Sequence, residues 1–401
     1  MPTEPGGFVF VGPHGTLRAA GASAPVMAAP GEPVADAARR ALADAGPGSL
    51  VVGAVGFDPA THALTVPAAC SWGERSGRGD LRPSSPARPT DRPPTAPAGV
   101  GTRWDQRAEP SAAGYAAAVA TALARIDEGA FAKVVLARSL AVTAPAALDV
   151  GEVLARLAAG HPEAYAFAVD TTPRGTNDPF VASRCTNGSF VPPHRTLVGA
   201  SPELLASRRG GTVVSNPLAG TVARSADPAE DARRAASLAA SGKDRHEHAF
   251  VVEQVAERLA PFCRRLDVPA APTLWATDSL WHLSTRISGE LRDPAPSALH
   301  LATALHPTAA VCGSPTGEAR RAIGELEAVP RGFYSGLVGW CDDAGDGEWA
   351  VTIRCAEIAG RTARLHAGAG IVAGSRPEAE VAETTAKFRP LLTALGLEAA
   401  P

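Results

Sequence analysis

The sequence has no excess of basic residues. Its 38 lysines and arginines are balanced by 41 aspartates and glutamates, which gives a formal net charge of -3 at pH 7. Aromatic residues make up only 5% of the chain, and no Lys/Arg cluster is interleaved with them. Nucleic-acid binding usually requires a basic face. We therefore expect no nucleic acid among the partners of this protein.

Long apolar runs are also missing. No uninterrupted apolar stretch approaches the roughly 20 residues that cross a bilayer as a helix. Residues 1–5 lack the basic start, followed by an apolar stretch, that is typical of a secretion signal. We therefore expect a soluble protein in the cytoplasm, with no membrane partner. We also expect it to be a monomer.

The six cysteines are widely spaced and include no C-x-x-C pair. This spacing predicts neither a zinc site nor a disulfide framework. With 401 residues, 45% of them hydrophobic, the chain can fill one large domain or two ordinary ones. We divide it into an N-terminal portion of strands and a helix (1–100), ending in a Pro/Arg-rich loop over about 73–101, and a catalytic domain (101–401).

Two acidic pairs have helical spacing. Asp244 and Glu247 open a run of apolar residues with helical periodicity, and Glu380 and Glu383 lie near the C-terminus with Lys387 on the same helical face. Four carboxylates brought together would repel one another unless they were protonated or neutralised by a hard cation such as Mg²⁺. Taken alone, however, such pairs are more often found on solvated helix faces.

Two further ionisable residues lie beside apolar runs. Lys133 is near the start of a β-branched stretch that predicts a strand over 131–143, and Glu203 follows a Ser-Pro turn with apolar neighbours. A carboxyl in such a setting can be buried with a raised pKa, as a general acid requires. Taken alone, a lysine at a strand edge and an ordinary turn glutamate are the more frequent alternatives.

The remaining patterns predict a helix over 111–130, with Ser111 as its N-cap, and a series of strands near the C-terminus. Two of these strands are predicted over 332–340 and 348–357. The glycine-rich segment 368–374 lacks the spacing and the lysine of a phosphate-binding loop.

In this order, the stretches resemble the chorismate-utilising enzyme family, which includes isochorismate, salicylate, anthranilate and aminodeoxychorismate synthases. The resemblance spans residues 111–397 and implies an anthranilate-synthase-like α/β (α+β) fold. In that fold two β-sheets pack together, with helices outside and an active-site cleft. The motifs that carry it are KVVLAR at 133–138, GASPELL at 199–205, LAGT at 218–221, KDRHEH at 243–248, HLS at 282–284, HPT at 306–308, IR at 353–354, GAG at 368–370 and the Glu380/Glu383/Lys387 set.

The resemblance implies a role for each matching residue. The four acids above match the family's Mg²⁺ site, with Glu247 and Glu383 as direct ligands. Asp244 replaces the more usual glutamate, which puts a direct contact to the ion in doubt. Tyr334 and Arg354 match residues that hold the pyruvyl carboxylate of chorismate, and a guanidinium suits that planar anion. Further positions match substrate contacts: Gly220, Thr221, His282, Gly368 and Lys387.

Lys133 and Glu203 match a general base and a general acid. Family members that add water at C2 resemble one another in having this lysine, and members that add ammonia lack it. Neutral Lys133 would take a proton from the attacking water, and protonated Glu203 would give one to the departing C4 hydroxyl. Ala310 stands where members that eliminate pyruvate have threonine, which implies that the reaction stops at isochorismate.

The resemblance therefore implies a Mg²⁺-dependent isochorismate synthase that acts on chorismate in a siderophore, salicylate or menaquinone pathway. Salicylate synthase is the alternative within the family, and a non-catalytic binding subunit with the same fold is the third hypothesis. Residues 171–195 form an insertion that is longer than the family's usual hairpin, and this departure bears on substrate access.

Overall fold

The structure is a computed structural model that describes residues 7–74, 104–172, 194–277 and 280–397. Its α-helices are α1 (Val34–Ala45), α2 (Ala112–Asp127), α3 (Val150–Gly160), α4 (Pro228–Ala240), α5 (Gly242–Leu259), α6 (Ala298–Leu305), α7 (Thr316–Leu326) and α8 (Pro377–Ala394). Its strands are β1 (Phe8–Gly12), β2 (Gly15–Pro25), β3 (Leu50–Val55), β4 (His62–Gly73), β5 (Asp105–Glu109), β6 (Lys133–Thr143), β7 (Tyr165–Asp170), β8 (Arg195–Ser201), β9 (Leu204–Arg209), β10 (Thr212–Asn216), β11 (Leu218–Ala223), β12 (Cys263–Asp267), β13 (Thr273–Ala276), β14 (Leu280–Ser284), β15 (Ile287–Leu291), β16 (Gly313–Ser314), β17 (Leu337–Asp342), β18 (Gly347–Val351), β19 (Cys355–Ala359) and β20 (Thr362–Val372).

Most of the described strands join one large sheet. Seventeen are linked by hydrogen bonds, and β11, β14 and β13 form a second sheet in that order. Phe10, Val52, Phe167 and Trp340, from four strands of the large sheet, share one buried cluster. Strands of this curled sheet therefore face one another across a common core. Helices α3 and α8 contribute to a further core cluster, so helices pack against the strands as the predicted α/β class requires.

The N-terminal portion is built into the same sheet as the rest of the chain. Strand β1 pairs antiparallel with β7, and β3 pairs with β17. The predicted boundary at residue 100 therefore separates strands of one sheet, and as a domain boundary it stays a prediction. Most of the predicted connector (73–101) and of the predicted insertion (171–195) lies outside the described residues.

The two C-terminal strands predicted over 332–340 and 348–357 are each shorter or broken in the structure. Strand β17 begins only at Leu337, after Ser335 at φ 61°, and the second stretch divides into β18 and β19 around Arg354 at φ 52°. Left-handed backbone is unfavourable for residues with a side chain and does not continue a strand. The two breaks remove Tyr334 and Arg354 from the regular sheet.

Helices α2 and α5 each begin at a serine that acts as the N-cap. The Ser111 side chain accepts a hydrogen bond from the Gly114 backbone amide at 3.2 Å, which confirms the predicted N-cap of α2. Ser241 caps α5 in the same way through the Asp244 amide. Val251, Val255 and Leu259 of α5 are buried, in agreement with the periodicity of that run.

Among the helices in the described ranges, none combines the length and the apolar composition that a membrane span needs.

Candidate active site

One cavity of about 110 Å³ brings the predicted site together. Every residue predicted for the site lines it except Lys133. The lining residues come from the turn before β9 (Glu203), β11 (Gly220, Thr221), the start of α5 (Asp244, Glu247), β14 (His282), the loop before β16 (Ala310), the two sheet breaks (Tyr334, Arg354), β20 (Gly368) and α8 (Glu380, Glu383, Lys387).

Lys133 is fully buried next to the cavity and contacts one of its lining acids. Its Nζ atom lies 2.9 Å from Oε1 of Glu247. A Cβ atom at Gly370 would lie 2.4 Å from Glu247 Oε1 and 3.1 Å from Lys133 Cε, so glycine at this position leaves room for the pair. Burial raises the pKa of Glu247, but the charge and hydrogen bond of the Lys133 ammonium, together with the charges of Lys387 and Lys243, lower that pKa below its usual value.

Glu203 is a buried carboxyl, with 2% of its surface exposed. Burial raises its pKa to about 8, against the opposing effects of a hydrogen bond from the Leu218 backbone and the charges of Lys133 and Arg354. Among the described residues, its Oε1 atom has no hydrogen-bond partner. Glu203 therefore holds a proton at neutral pH and keeps one oxygen unengaged, which are the properties of a general acid.

Helix α8 presents two carboxylates and a lysine to the cavity. Burial raises the pKa of Glu380 to about 7, and the nearby Glu383 charge adds to this effect. The Lys387 ammonium donates a hydrogen bond to Glu383 and another, at 2.8 Å, to the Gly368 carbonyl oxygen. Lys387 therefore ties α8 to β20 and partly neutralises Glu383.

The donor set of the cavity fits a hard divalent cation by its chemistry. Asp244, Glu247, Glu380 and Glu383 supply carboxylate oxygens, which Mg²⁺ prefers. Burial is the main cause of the raised pKa of Glu380, and the Glu383 charge adds a like-charge repulsion that an ion would relieve. In their present positions, no three His, Cys, Asp or Glu side chains of the described chain form a ready-made ion site. Glu247 and Glu383 instead pair with Lys133 and Lys387.

His282 and Thr221 form a polar pair in this cavity. Their Nδ1 and Oγ1 atoms lie 3.0 Å apart across the β11–β14 pairing. Burial lowers the pKa of His282 well below its usual value, so the ring is neutral at physiological pH. Its Nε2 atom lacks a hydrogen-bond partner within the described residues. Gly220, at φ 74°, brings β11 close to α5, since a Cβ there would lie 3.1 Å from Cβ of Asp244.

Tyr334 and Arg354 supply donors for an anionic substrate. The Tyr334 ring stacks on His366 at 5.0 Å, and burial raises the pKa of this tyrosine to about 12, so its hydroxyl stays protonated. A Cβ at Gly368 would lie 3.0 Å from the Tyr334 hydroxyl, which explains the glycine. Burial lowers the pKa of Arg354, but a guanidinium keeps its charge at neutral pH.

Three further residues of the site were not singled out from the sequence. Lys243 lines the cavity beside the α5 acids, and its position one helical turn before Glu247 could have indicated this. Gly370 lies in the GAG motif, but its contact with Lys133 and Glu247 depends on the fold. Ser335 is fully buried in the cavity wall, and no sequence signal predicts its left-handed backbone.

The chain is similar to known proteins along most of its length. The model of the chorismate binding enzyme family matches residues 50–393. Isochorismate synthase DhbC of Bacillus subtilis (strain 168) is 46% identical to this chain, and the match covers 98% of this chain and 95% of the relative.

Solved structures agree in fold. The structure designated 2,3-dihydroxybenzoate-specific isochorismate synthase, DhbC, from Bacillus anthracis has a TM-score of 0.84 at 41% identity, over 99% of this chain and 98% of that one. Anthranilate synthase component I from Streptococcus pneumoniae has a TM-score of 0.67 at 19% identity, over 98% of this chain and 92% of that one. These likenesses confirm the predicted anthranilate-synthase-like fold.

Proposed function

The chain belongs to the family of chorismate binding enzymes, and from this we propose that it is an isochorismate synthase. Such an enzyme is an isomerase that adds water at C2 of chorismate and releases the hydroxyl from C4. The observation that carries the proposal is the presence of a protonated carboxyl and a buried lysine at one site. Glu203 holds its proton at neutral pH, and Lys133 is fully buried and close enough for its charge to act on that carboxyl.

The two groups divide the proton transfers between them. The Lys133 amine takes a proton from the water whose oxygen bonds to C2, and the ring double bonds shift. Glu203 gives its proton to the C4 oxygen, which departs as water. The base must be neutral when it acts, so the Lys133 ammonium that pairs with Glu247 here has to give up one proton to solvent before it can take one from the attacking water.

The other cavity residues bind and orient the dicarboxylate substrate. Arg354 and the Tyr334 hydroxyl hold the pyruvyl carboxylate, and the neutral His282 ring lies near the substrate ring. We propose that Asp244, Glu247, Glu380 and Glu383 hold Mg²⁺, with Glu247 and Glu383 as its direct ligands. When bound, the ion neutralises these acids and attracts the ring carboxylate of chorismate.

The experiment that tests this function is incubation of the purified protein with chorismate and Mg²⁺, followed by identification of the product. We expect isochorismate with at most a trace of salicylate near neutral pH. Excess EDTA should abolish turnover, because the acids and a dicarboxylate substrate cannot share one cavity without a cation. Re-addition of Mg²⁺ should restore activity and serves as the control.

Other products would contradict specific parts of the proposal. Stoichiometric salicylate and pyruvate from the wild-type protein would move the assignment to salicylate synthase. Full turnover in excess EDTA would reject the metal. Without any conversion of chorismate, the proposed function itself would be wrong.

Ala310→Thr should raise the fraction of salicylate several-fold above the wild-type trace, because a hydroxyl and a β-branch beside the ring favour the conformer that transfers the C2 hydrogen to the enolpyruvyl group. Ala310 is only partly buried and lines the cavity, so the larger side chain has space to enter it. Product analysis by chromatography gives the ratio.

Ala310→Val is the matched control for this substitution, since valine adds the branch without the hydroxyl. Equal salicylate fractions in the two variants would assign the effect to bulk and not to hydrogen bonding. If neither variant changes the salicylate fraction, Ala310 does not determine whether isochorismate is released.

The isochorismate formed can supply catecholate siderophores, salicylate or menaquinone. We propose the siderophore route, because the solved relative of highest similarity described above is designated 2,3-dihydroxybenzoate-specific. The cytoplasmic location and the monomeric state stay predictions.

A further inference from the structure

The loop that carries Ala310 is tied to helix α5 by two side chains. The Ala309 backbone amide donates a hydrogen bond to Oε1 of Gln254 at 2.7 Å. Arg258, one turn further along α5, donates to the Leu305 carbonyl oxygen at 2.6 Å and to the Pro307 carbonyl oxygen at 2.9 Å. The backbone on the N-terminal side of Ala310 is therefore held by this helix.

Gln254 and Arg258 lie on the same face of α5 as Glu247. Separations of seven and eleven residues each bring a side chain back to within roughly 20° of its starting direction, at about 100° per residue. One stripe of α5 thus carries a proposed metal ligand at its start and the two loop contacts further along. The helix connects the acidic part of the cavity with the loop below the substrate.

The orientation of the Gln254 amide is determined by its partners. Its Nε2 atom donates to Oγ1 of Thr316 at 3.0 Å, and Arg258 donates to the same hydroxyl at 3.1 Å. Its oxygen therefore has to face Ala309, whose backbone N–H can only donate. Ala309 is fully buried, so without Gln254 its amide would lose its hydrogen bond in a place that water does not readily reach.

The far side of the loop is held separately. Arg331 donates to the Val311 carbonyl oxygen at 2.6 Å and to the Val135 carbonyl oxygen at 2.8 Å. Ala310 lies between these two attachments, inside a turn in which the Thr308 carbonyl oxygen accepts hydrogen bonds from the Val311 amide at 3.1 Å and the Cys312 amide at 2.9 Å. The peptide that carries this carbonyl is the one whose N–H bonds Gln254, so the position of Ala310 in the cavity wall depends on that contact.

We propose that Gln254 is a positioning residue that places Ala310 under the substrate ring, an inference that rests on the proposed isochorismate synthase function. Gln254 does not line the cavity itself. It acts through the Thr308–Ala309 peptide, which bonds Gln254 by its N–H and the turn around Ala310 by its carbonyl oxygen, and it keeps the wall in the shape that orients chorismate for attack at C2. A change of a few tenths of an ångström in this wall alters the alignment of the reacting atoms more than it alters binding.

The test compares Gln254→Leu with Gln254→Glu in the full-length protein. Leucine has a similar size but no acceptor for the Ala309 amide. Glutamate keeps the acceptor, while Thr316 can turn its hydroxyl to donate and Arg258 supplies a counter-charge. We expect Gln254→Leu to lower kcat/KM for chorismate roughly 5- to 30-fold, mainly through kcat, because a buried amide is left unpaired.

The kcat/KM of Gln254→Glu should stay close to the wild-type value. If the loss in Gln254→Leu came only from altered packing at this position, Gln254→Glu would not be expected to keep this value. The Mg²⁺ concentration for half-maximal activity should be the same in both variants, because Glu247 lies two turns away. Hydrogen exchange of the Ala309 amide should be accelerated in Gln254→Leu and not in Gln254→Glu.

Equal kcat/KM values for the two variants, with isochorismate formed by the wild type, would overturn the role of Gln254 and leave the proposed function intact. If the wild type does not convert chorismate, the proposed function fails first. If Gln254→Leu does not fold, hydrogen exchange of the Ala309 amide in the wild type is the deciding measurement. Exchange as fast as that of an unprotected amide would overturn the proposal. Slow exchange of this amide would support it.

Discussion

Lys133→Ala is expected to lower the rate of isochorismate formation by about 10²- to 10⁴-fold, the usual contribution of a positioned general base. Chorismate binding should persist, because the carboxylate contacts assigned to Arg354 and Tyr334 do not involve Lys133. The measurements are kcat by product analysis and chorismate affinity by calorimetry, both with Mg²⁺ present.

Lys133→Arg distinguishes the role of Lys133 as a base from its role in the ion pair with Glu247. Arginine can keep the charged contact that the Lys133 ammonium makes with Glu247, but it does not release a proton in a protein. We therefore expect it to be nearly as inactive as the alanine variant while its thermal stability stays nearer to that of the wild type. An arginine variant with normal turnover would show that Lys133 acts as a charge and not as a base.

Glu247→Gln and Glu383→Gln should each abolish activity while leaving the fold nearly intact. An amide has the size of the carboxyl group but lacks the charge that a hard divalent cation requires. In the protein without metal, each substitution removes the negative charge that pairs with one lysine, Lys133 or Lys387. The measurements are turnover across a range of Mg²⁺ concentrations and melting temperature.

Glu378→Gln is the matched control on helix α8. Glu378 is exposed and does not line the cavity, so its variant removes the same charge outside the site and should retain full activity. Near wild-type rates in Glu247→Gln or Glu383→Gln would mean that the ligand assignment is incorrect. A large loss of stability in either variant would instead point to its lysine pair as the important contact.

Local spacing was enough to predict several parts of this molecule. The i, i+3 and i+7 positions of Glu380, Glu383 and Lys387 predict one helical face, and α8 presents all three to the cavity. Ser111 acts as the predicted N-cap because the bond it makes is to the Gly114 amide three residues away. Such features need only the geometry of one helix.

Two features of the backbone could not be predicted in this way. Ser335 and Arg354 adopt left-handed conformations that interrupt what the residue pattern favours as continuous strands. An unfavourable backbone of this kind persists only where surrounding structure holds it. It is therefore set by contacts with distant segments and not by the residues on either side.

By itself, the sequence determined the class of the protein, the helical faces that carry its acids and the identity of its candidate acid and base. Only the tertiary structure decided that Lys133 pairs with Glu247, that Gly370 makes room for them, and that Glu203 is buried deeply enough to hold a proton with a pKa of about 8. The physical reason is the separation along the chain over which each effect acts. Helical periodicity and capping act over a few residues, whereas burial, charge pairing and pKa depend on segments that only folding brings together.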